Sequence, residues 1–420
     1  MKTIWVALSF VAACSGIIFG TSLRHRQEAG SGLLSSSELL ALRSSGGGAS
    51  RETPWFPATA YYDQIRRIVS AEFVDPISDQ TKMAQSSLRY MLRSLNDPET
   101  RYYEPEAWKA YLGRLSGSYE GIGADIVALE TMSPGGLTLP IRILSVAPGG
   151  PAERAGLRAG DIVEAVDGRW VASRSLFEEL QVASDAFTEK KISREEYDKI
   201  WQAVRAKSEK MISVEEAIGK LQVGAGPVNV EVRRAGELIK RAVEKHVTEV
   251  ELVAAKGGSV TIRGFGPNTA EDVAEAIVGR NALTIDLRGN PGGSYEAMVE
   301  TLGKIAPGGT LAQVKGDPKA PLDKLTHKSE VAKAPSVTVL VDAGTAREAE
   351  VFAYALRDLV GAKILGGPTA GLARKVLRFS LPDGSGYSIT SGHYYDAAGN
   401  PLVREDVAAR KAREKAEAAR

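Results

Sequence analysis

Cysteine is almost missing from this chain: Cys14 is the single one in 420 residues. No internal disulfide can form, so the fold rests on packing and hydrogen bonds. Histidine is scarce as well, and His25, His246, His327 and His393 are too scattered for metal-ligand spacing. The stretch from Thr188 to Tyr197 has the polar rhythm of half a calcium hand but lacks its Asp ligands. Neither a metal nor a cofactor is therefore expected. An excess of one charge is also lacking, with 53 Lys and Arg against 52 Asp and Glu. No basic cluster alternates with aromatics, which argues against a nucleic-acid partner. What remains is an ordinary globular composition, somewhat rich in glycine, in a chain long enough for two or three cores.

The N-terminus differs in character. Met1-Lys2-Thr3 precede an apolar run from Ile4 to Leu23, closed by Arg24-His25-Arg26. The run suits a secretory signal or a membrane anchor. Val11-Ala-Ala-Cys14 resembles a lipoprotein cleavage box, whereas Ile17-Ile18-Phe19 continue the run as an uncleaved anchor would. Either way, the remainder is expected outside the cytoplasm: periplasmic and anchored, a lipoprotein, or secreted. Residues 24–55 are rich in Ser and Gly and read as a linker.

Apolar residues at Tyr61, Ile65, Ile68, Val69 and Phe73 recur at helical spacing, as do Met83, Leu88, Met91, Leu92 and Leu95. Asn96-Asp97-Pro98 stops the second run and Pro105-Glu106 opens a third. Residues 56–116 are thus predicted as a helical subdomain. From Gly117 the grammar changes. A Gly-punctuated loop, Glu120-Gly-Ile-Gly123, feeds a strand, and Pro151-Ala-Glu-Arg-Ala-Gly-Leu157 precedes the strand-turn unit Gly160 to Gly168. This order resembles a PDZ domain, assigned to residues 117–251. In such domains a peptide adds to a sheet edge, and loop amides capture its terminal carboxylate. The resemblance gives that role to Glu120, Gly121, Ile122 and Gly123. Residues 173–210 are extra to the PDZ pattern. Their capping boxes, Ser175-x-x-Glu178 and Ser193-x-x-Glu196, predict a two-helix insertion placed to narrow or cover the groove.

Residues 252–403 alternate strands and helices. The stretch from Thr338 to Leu356 reads as a buried strand, a Gly-Thr turn and a helix, the frame of a catalytic elbow with free amides for a nucleophile and an oxyanion. No Ser or Cys stands there; Arg347, Glu348 and Ala349 do. The order of landmarks resembles the carboxyl-terminal processing (tail-specific) serine peptidases: Gly121-Ile-Gly123, the PDZ run, Asp286-Leu-Arg-Gly-Asn-Pro-Gly-Gly293, Gly344-Thr-Ala346 and His393-Tyr-Tyr395. The resemblance implies an α/β multidomain protein, with a crotonase-like (ClpP/crotonase) core, an inserted PDZ domain and an N-terminal helical subdomain.

That family needs a Ser nucleophile, a Lys base and a Gln that orients it. The resemblance puts Ala349 at the nucleophile, Leu372 at the base and Val376 at the Gln. Ala cannot attack a carbonyl and Leu cannot take a proton, so the chemistry is lost while the oxyanion frame at Gly292 and Gly293 is expected to persist. The expectation is a pseudoprotease that binds protein C-terminal tails or unfolded peptides, or scaffolds an active protease or adaptor. The alternative is a working serine-type endopeptidase with a displaced nucleophile and base. For that alternative Lys375 is offset from the base position by three residues, which on a strand points it to the other face. Residues 404–420 read as a charged, solvated tail.

Overall fold

The computed structural model describes residues 58–402, apart from 76, 78, 96, 130, 134–135, 173–174, 317–320, 330 and 332–333. The apolar leader with Cys14, the linker and the charged tail lie outside these residues. Among the described residues no helix is long and apolar enough to cross a membrane. Among the same residues no cluster of three or more His, Cys, Asp or Glu could hold a metal ion.

Helix α1 (Ala58–Glu72) belongs to a unit that ends at Ser78. Everything below concerns the second unit, which begins at Asp79. There α2 (Gln80–Arg93) starts where the Asp79 carboxylate accepts the Lys82 amide at 3.0 Å. It ends ahead of Pro98, as the breaker residues predict. A short strand β1 (Arg101–Tyr103) and helix α3 (Pro105–Leu115) follow, the latter opened by proline. Tyr111 stacks on Tyr103 and Trp108 at centroid distances of 4.9 and 5.4 Å, and Tyr103 and Trp108 meet at a tilt.

The PDZ region runs β2 (Ser118–Tyr119), β3 (Ala124–Ala128), β4 (Thr131–Ser133), β5 (Gly136–Thr138), β6 (Ile141–Val146), α4 (Pro151–Arg154), β7 (Ile162–Val166) and β8 (Arg169–Val171). It continues through α5 (Ser175–Thr188), α6 (Arg194–Ser208), β9 (Met211–Ile212), α7 (Val214–Gln222), β10 (Gly226–Arg234), β11 (Glu237–Lys245) and β12 (Thr248–Glu249). Its sheet has the order β11-β10-β7-β6-β3, with β8 added on β7 and β9 on β8. Strand β3 therefore lies at an edge. Ile122, Ile126, Ile141, Ile143 and Val230 fill the core together with Leu221 of α7, each worth about 1.5–3 kcal/mol relative to exposure.

The predicted insertion is the pair α5 and α6, and both halves of the Ser193–Glu196 capping box are formed. The side chains of the Ser175 box are not among those described. Phe187 stacks on Tyr197, and Lys207 pairs with Glu179 and sits over the Trp170 ring of β8. The hairpin thus leans on β8.

The last region contains β13 (Val253–Lys256), β14 (Ser259–Ile262), α8 (Thr269–Ala276), β15 (Ala282–Asp286), α9 (Tyr295–Ile305), β16 (Gly309–Lys315) and β17 (Asp323–His327). It ends with β18 (Ser336–Val341), α10 (Glu348–Val360), β19 (Lys363–Gly366), β20 (Arg374–Ser380) and β21 (Gly386–Tyr395). One sheet has the order β13-β14-β15-β18-β19 and is parallel from β14 onward. Its β-α-β units explain the near-continuous apolar runs of β15 and β18. A second sheet, β1-β21-β16-β17 with β20 on β21, ties the segment after α2 to this core. Phe265, Ile285, Met298, Val339, Phe352 and Leu356 are fully buried between the layers.

Candidate functional site

The elbow is built by the end of β18. The Asp342 Oδ1 atom accepts the amides of Gly344 and Thr345, and also that of Gly289 from the turn after β15. Thr345 donates its hydroxyl to Leu287 O at 2.8 Å. Gly344 is required here: a Cβ would lie 2.6 Å from Leu144 O of the PDZ strand β6. The chain then enters α10 through Arg347, whose φ of 53° and ψ of −120° are strained for a residue with a side chain. Glu350 stabilises this corner by accepting the Arg347 amide at 3.0 Å.

Arg347 is the hub of the site. Its Nε donates to Glu99 at 3.0 Å, and its Nη1 donates to Asp125 at 2.7 Å and to Pro291 O at 2.8 Å. The ion-paired side chains are nearly buried, 13% exposed for Arg347, 7% for Glu99 and 9% for Asp125. Arg114 stands 3.9 Å from the other Asp125 oxygen. Burial alone would lower the Arg347 pKa, but Asp125 and Glu99 outweigh it and hold the guanidinium charged. One side chain thus joins three pieces: the turn after α2, the PDZ strand β3 and the core.

The next residue fills the oxyanion frame. Glu348 Oε2 accepts the Gly293 amide at 3.1 Å, and Asn290 Oδ1 accepts the Gly292 amide at 2.8 Å. The expectation that Gly292 and Gly293 keep amides available for a peptide carbonyl is corrected, because both donors are already used inside the protein. Gly292 has no room for a side chain, since a Cβ would lie 2.5 Å from that Glu348 oxygen. Arg378, held by the Tyr111 hydroxyl, lies 3.8 Å from Glu348 and covers it.

Ala349 is fully buried in the first turn of α10 and packs in the core. The residue with the elbow's strained backbone is Arg347, two positions earlier. Leu372 is buried beside Ala346, with Val127 and Leu144 of the PDZ sheet in the same cluster. Val376 is 9% exposed on β20. The loop carrying Leu372 is fixed by Glu350, which accepts the amides of Gly371 and Leu372 at 2.7 Å each. Burial raises the Glu350 pKa against these hydrogen bonds. Lys375 follows a loop, not a continuous strand, because β20 begins at Arg374 and carries a bulge between Lys375 and Val376. Alternation of faces from Leu372 to Lys375 therefore does not apply.

In the PDZ region the loop Glu120 to Gly123 is closed by α7. The Ile122 amide donates to Leu221 O at 2.8 Å, and Glu120 Oε1 accepts the Gly224 amide at 2.8 Å. A Cβ on Gly121 would lie 2.3 Å from Leu221 O. The predicted carboxylate cradle is thus corrected at Ile122, whose single N–H is spent on the helix end. Further along α7 a cavity of about 670 Å³ opens, lined by α7, Ala128 of β3, Leu139, residues of α2, and residues 97, 98 and 100–104. Among the described residues, none of the α5–α6 hairpin lines it. The roof of the groove is α2 and the turn after it, which corrects the predicted role of the insertion.

Comparison with known proteins agrees with this architecture. Residues 256–409 match the profile of Peptidase family S41, and residues 142–178 match that of the PDZ domain. The carboxy-terminal processing protease CtpB of Bacillus subtilis is 26% identical over 377 residues, covering 85% of this chain and 70% of that one. Carboxyl-terminal-processing peptidase 2 of Arabidopsis thaliana is 28% identical over 326 residues, 75% of this chain and 57% of its own length. Among solved structures, the photosystem II D1 C-terminal processing protease superposes with a TM-score of 0.57 at 26% identity, over 81% of this chain and 84% of that one. The chain is similar to carboxyl-terminal processing proteases, with a Peptidase family S41 region over residues 256–409. Its architecture is a mixed α/β fold with a PDZ domain.

Two functional residues escaped the sequence reading of this carboxyl-terminal processing protease relative. Arg347 was legible only as a large cation inside an otherwise small-residue turn, Gly344-Thr-Ala-Arg347. Its partners Glu99 and Asp125 lie more than two hundred residues upstream. Nothing local marks Glu348 as the partner of Gly293.

Proposed function

We propose that this chain is a non-cleaving member of its family, a pseudoprotease that binds segments of other proteins, C-terminal tails among them, through its PDZ groove. The observation that carries this reading is Arg347. It occupies the strained elbow position, where an exposed nucleophile would have to stand, and its guanidinium is tied to Glu99 and Asp125. Beside it, the carboxylate of Glu348 holds the Gly293 amide that would otherwise stabilise an oxyanion. Leu372 and Val376 supply no base and no hydrogen bond. The reading keeps the crotonase-like description for the core. It also places the protein outside the cytoplasm on the strength of its N-terminal apolar run, with unfolded or tailed proteins of that compartment as partners.

The test is direct. The full-length protein is incubated with dye-labelled apolar peptides, and binding and peptide mass are followed together. The expected result is saturable binding with every peptide recovered intact. Cleaved product, lost in an Arg347→Ala or Lys375→Ala variant, would overturn the non-cleaving part.

A further inference from the structure

We infer that the PDZ groove reads the side chains and backbone of an extended segment and does not read a free terminal carboxylate. This rests on the peptide-binding reading above and specifies its chemistry. A carboxylate-capturing groove needs backbone donors at the loop before its edge strand. Here one of those donors is already taken. The Ile122 N–H is donated to Leu221 O, and Gln222 Nε2, itself buried, reaches the carbonyl of Ala124 at 3.5 Å. The absent Cβ of Gly121 leaves no gap, because Leu221 O fills the space.

Electrostatics point the same way. The groups facing the loop are the carbonyl end of α7, which carries partial negative charge, and the Glu120 side chain. The ammonium of Lys245 is spent on the carbonyls of Lys220 and Val223, and Arg154, which contacts the ring of His246 beside Gly121, donates to Gly149 O. A carboxylate seated here would meet two negative groups. The other end of the groove differs. Strand β3 ends the sheet, and at its Ala128 end Leu139, Val214, Ile218 and Tyr90 also line the cavity. Its volume suits two or three apolar side chains of a strand added to β3. Such a ligand enters without presenting its end to the loop, so an internal segment serves as well as a tail.

The test uses an N-terminally dye-labelled pool of eight-residue peptides randomised over Ala, Val, Leu and Ile, made once as free acids and once as C-terminal amides. Fluorescence anisotropy against the full chain gives the two Kd values. They are expected to agree within twofold. Amides that bind at least tenfold more weakly overturn this inference and leave the proposed function standing. Absence of binding by both forms overturns both. Cleavage of the pool overturns only the non-cleaving claim. The groove is located by Gly219→Leu, because Gly219 lines the cavity and no atom lies within 4 Å of where its Cβ would be. The added side chain is expected to weaken both forms at least tenfold, and unchanged affinity would overturn the placement.

Discussion

Arg347 carries a positive charge into a nearly closed space, and its energetics depend on two carboxylates that are themselves almost buried. Removing one partner from a buried ion pair leaves uncompensated charge and costs about 3–5 kcal/mol. Arg347→Ala strands both Glu99 and Asp125, and because alanine keeps a Cβ it relieves none of the backbone strain at φ 53°. Urea unfolding should show a net loss of about 3 kcal/mol or more, and a loss below about 1 kcal/mol would show that the cluster is solvated and weak. His393 gives a second prediction at this scale. Burial, then nearby Arg374, lowers its pKa below 6.5, against a smaller opposing effect of Asp97. The folded state therefore prefers the neutral ring. The stability from this group is present above pH 6.5 and is lost as pH falls through the lowered folded value. His393→Gln should flatten the decline in Tm between pH 7 and 5. An unchanged slope would assign that decline to other groups.

At the scale of elements, the α5–α6 hairpin and the roof of the groove separate two ideas that the sequence joined. The hairpin was legible from its Ser193 capping box and amphipathic runs, both local signals. Its docking was not, because the Lys207 contact with Trp170 depends on the parallel pairing of β8 with β9, a tertiary event. Replacing residues 175–208 with a short Gly/Ser linker should leave peptide affinity within twofold. A tenfold gain would restore the hairpin as a gate. The Gly219→Leu variant also bears on α7 itself. Glycine in a helix interior costs roughly 0.5–1 kcal/mol relative to good helix formers, so this change should raise stability by up to about that amount while blocking the groove. A destabilised protein in thermal unfolding would mean that the space is needed for motion or packing. The strands and helices of the core were likewise readable from apolar runs and Gly-Pro punctuation. What could not be read was which residue takes the strained elbow backbone. Ala349 and Arg347 are both compatible with a helix start, and the corner is decided by the Asp342 and Glu350 hydrogen bonds.

At the scale of the whole second unit, the PDZ sheet is packed onto the elbow. Val127 and Leu144 lie against Ala346 and Leu372, and Asp125 of the same sheet reaches Arg347. An apolar Leu at position 372 makes sense in that contact, since a lysine there would need to lose its charge or its burial. Arg347 and Leu372 are thus residues that join the two regions, and the central claim is that the joined elbow does not cut. It is tested most directly by incubating the full-length protein with unfolded casein and measuring new termini by mass spectrometry. The account predicts no fragments beyond those of a casein-only control. Casein fragments that appear with the wild-type chain and vanish in Arg347→Ala or Lys375→Ala would contradict it.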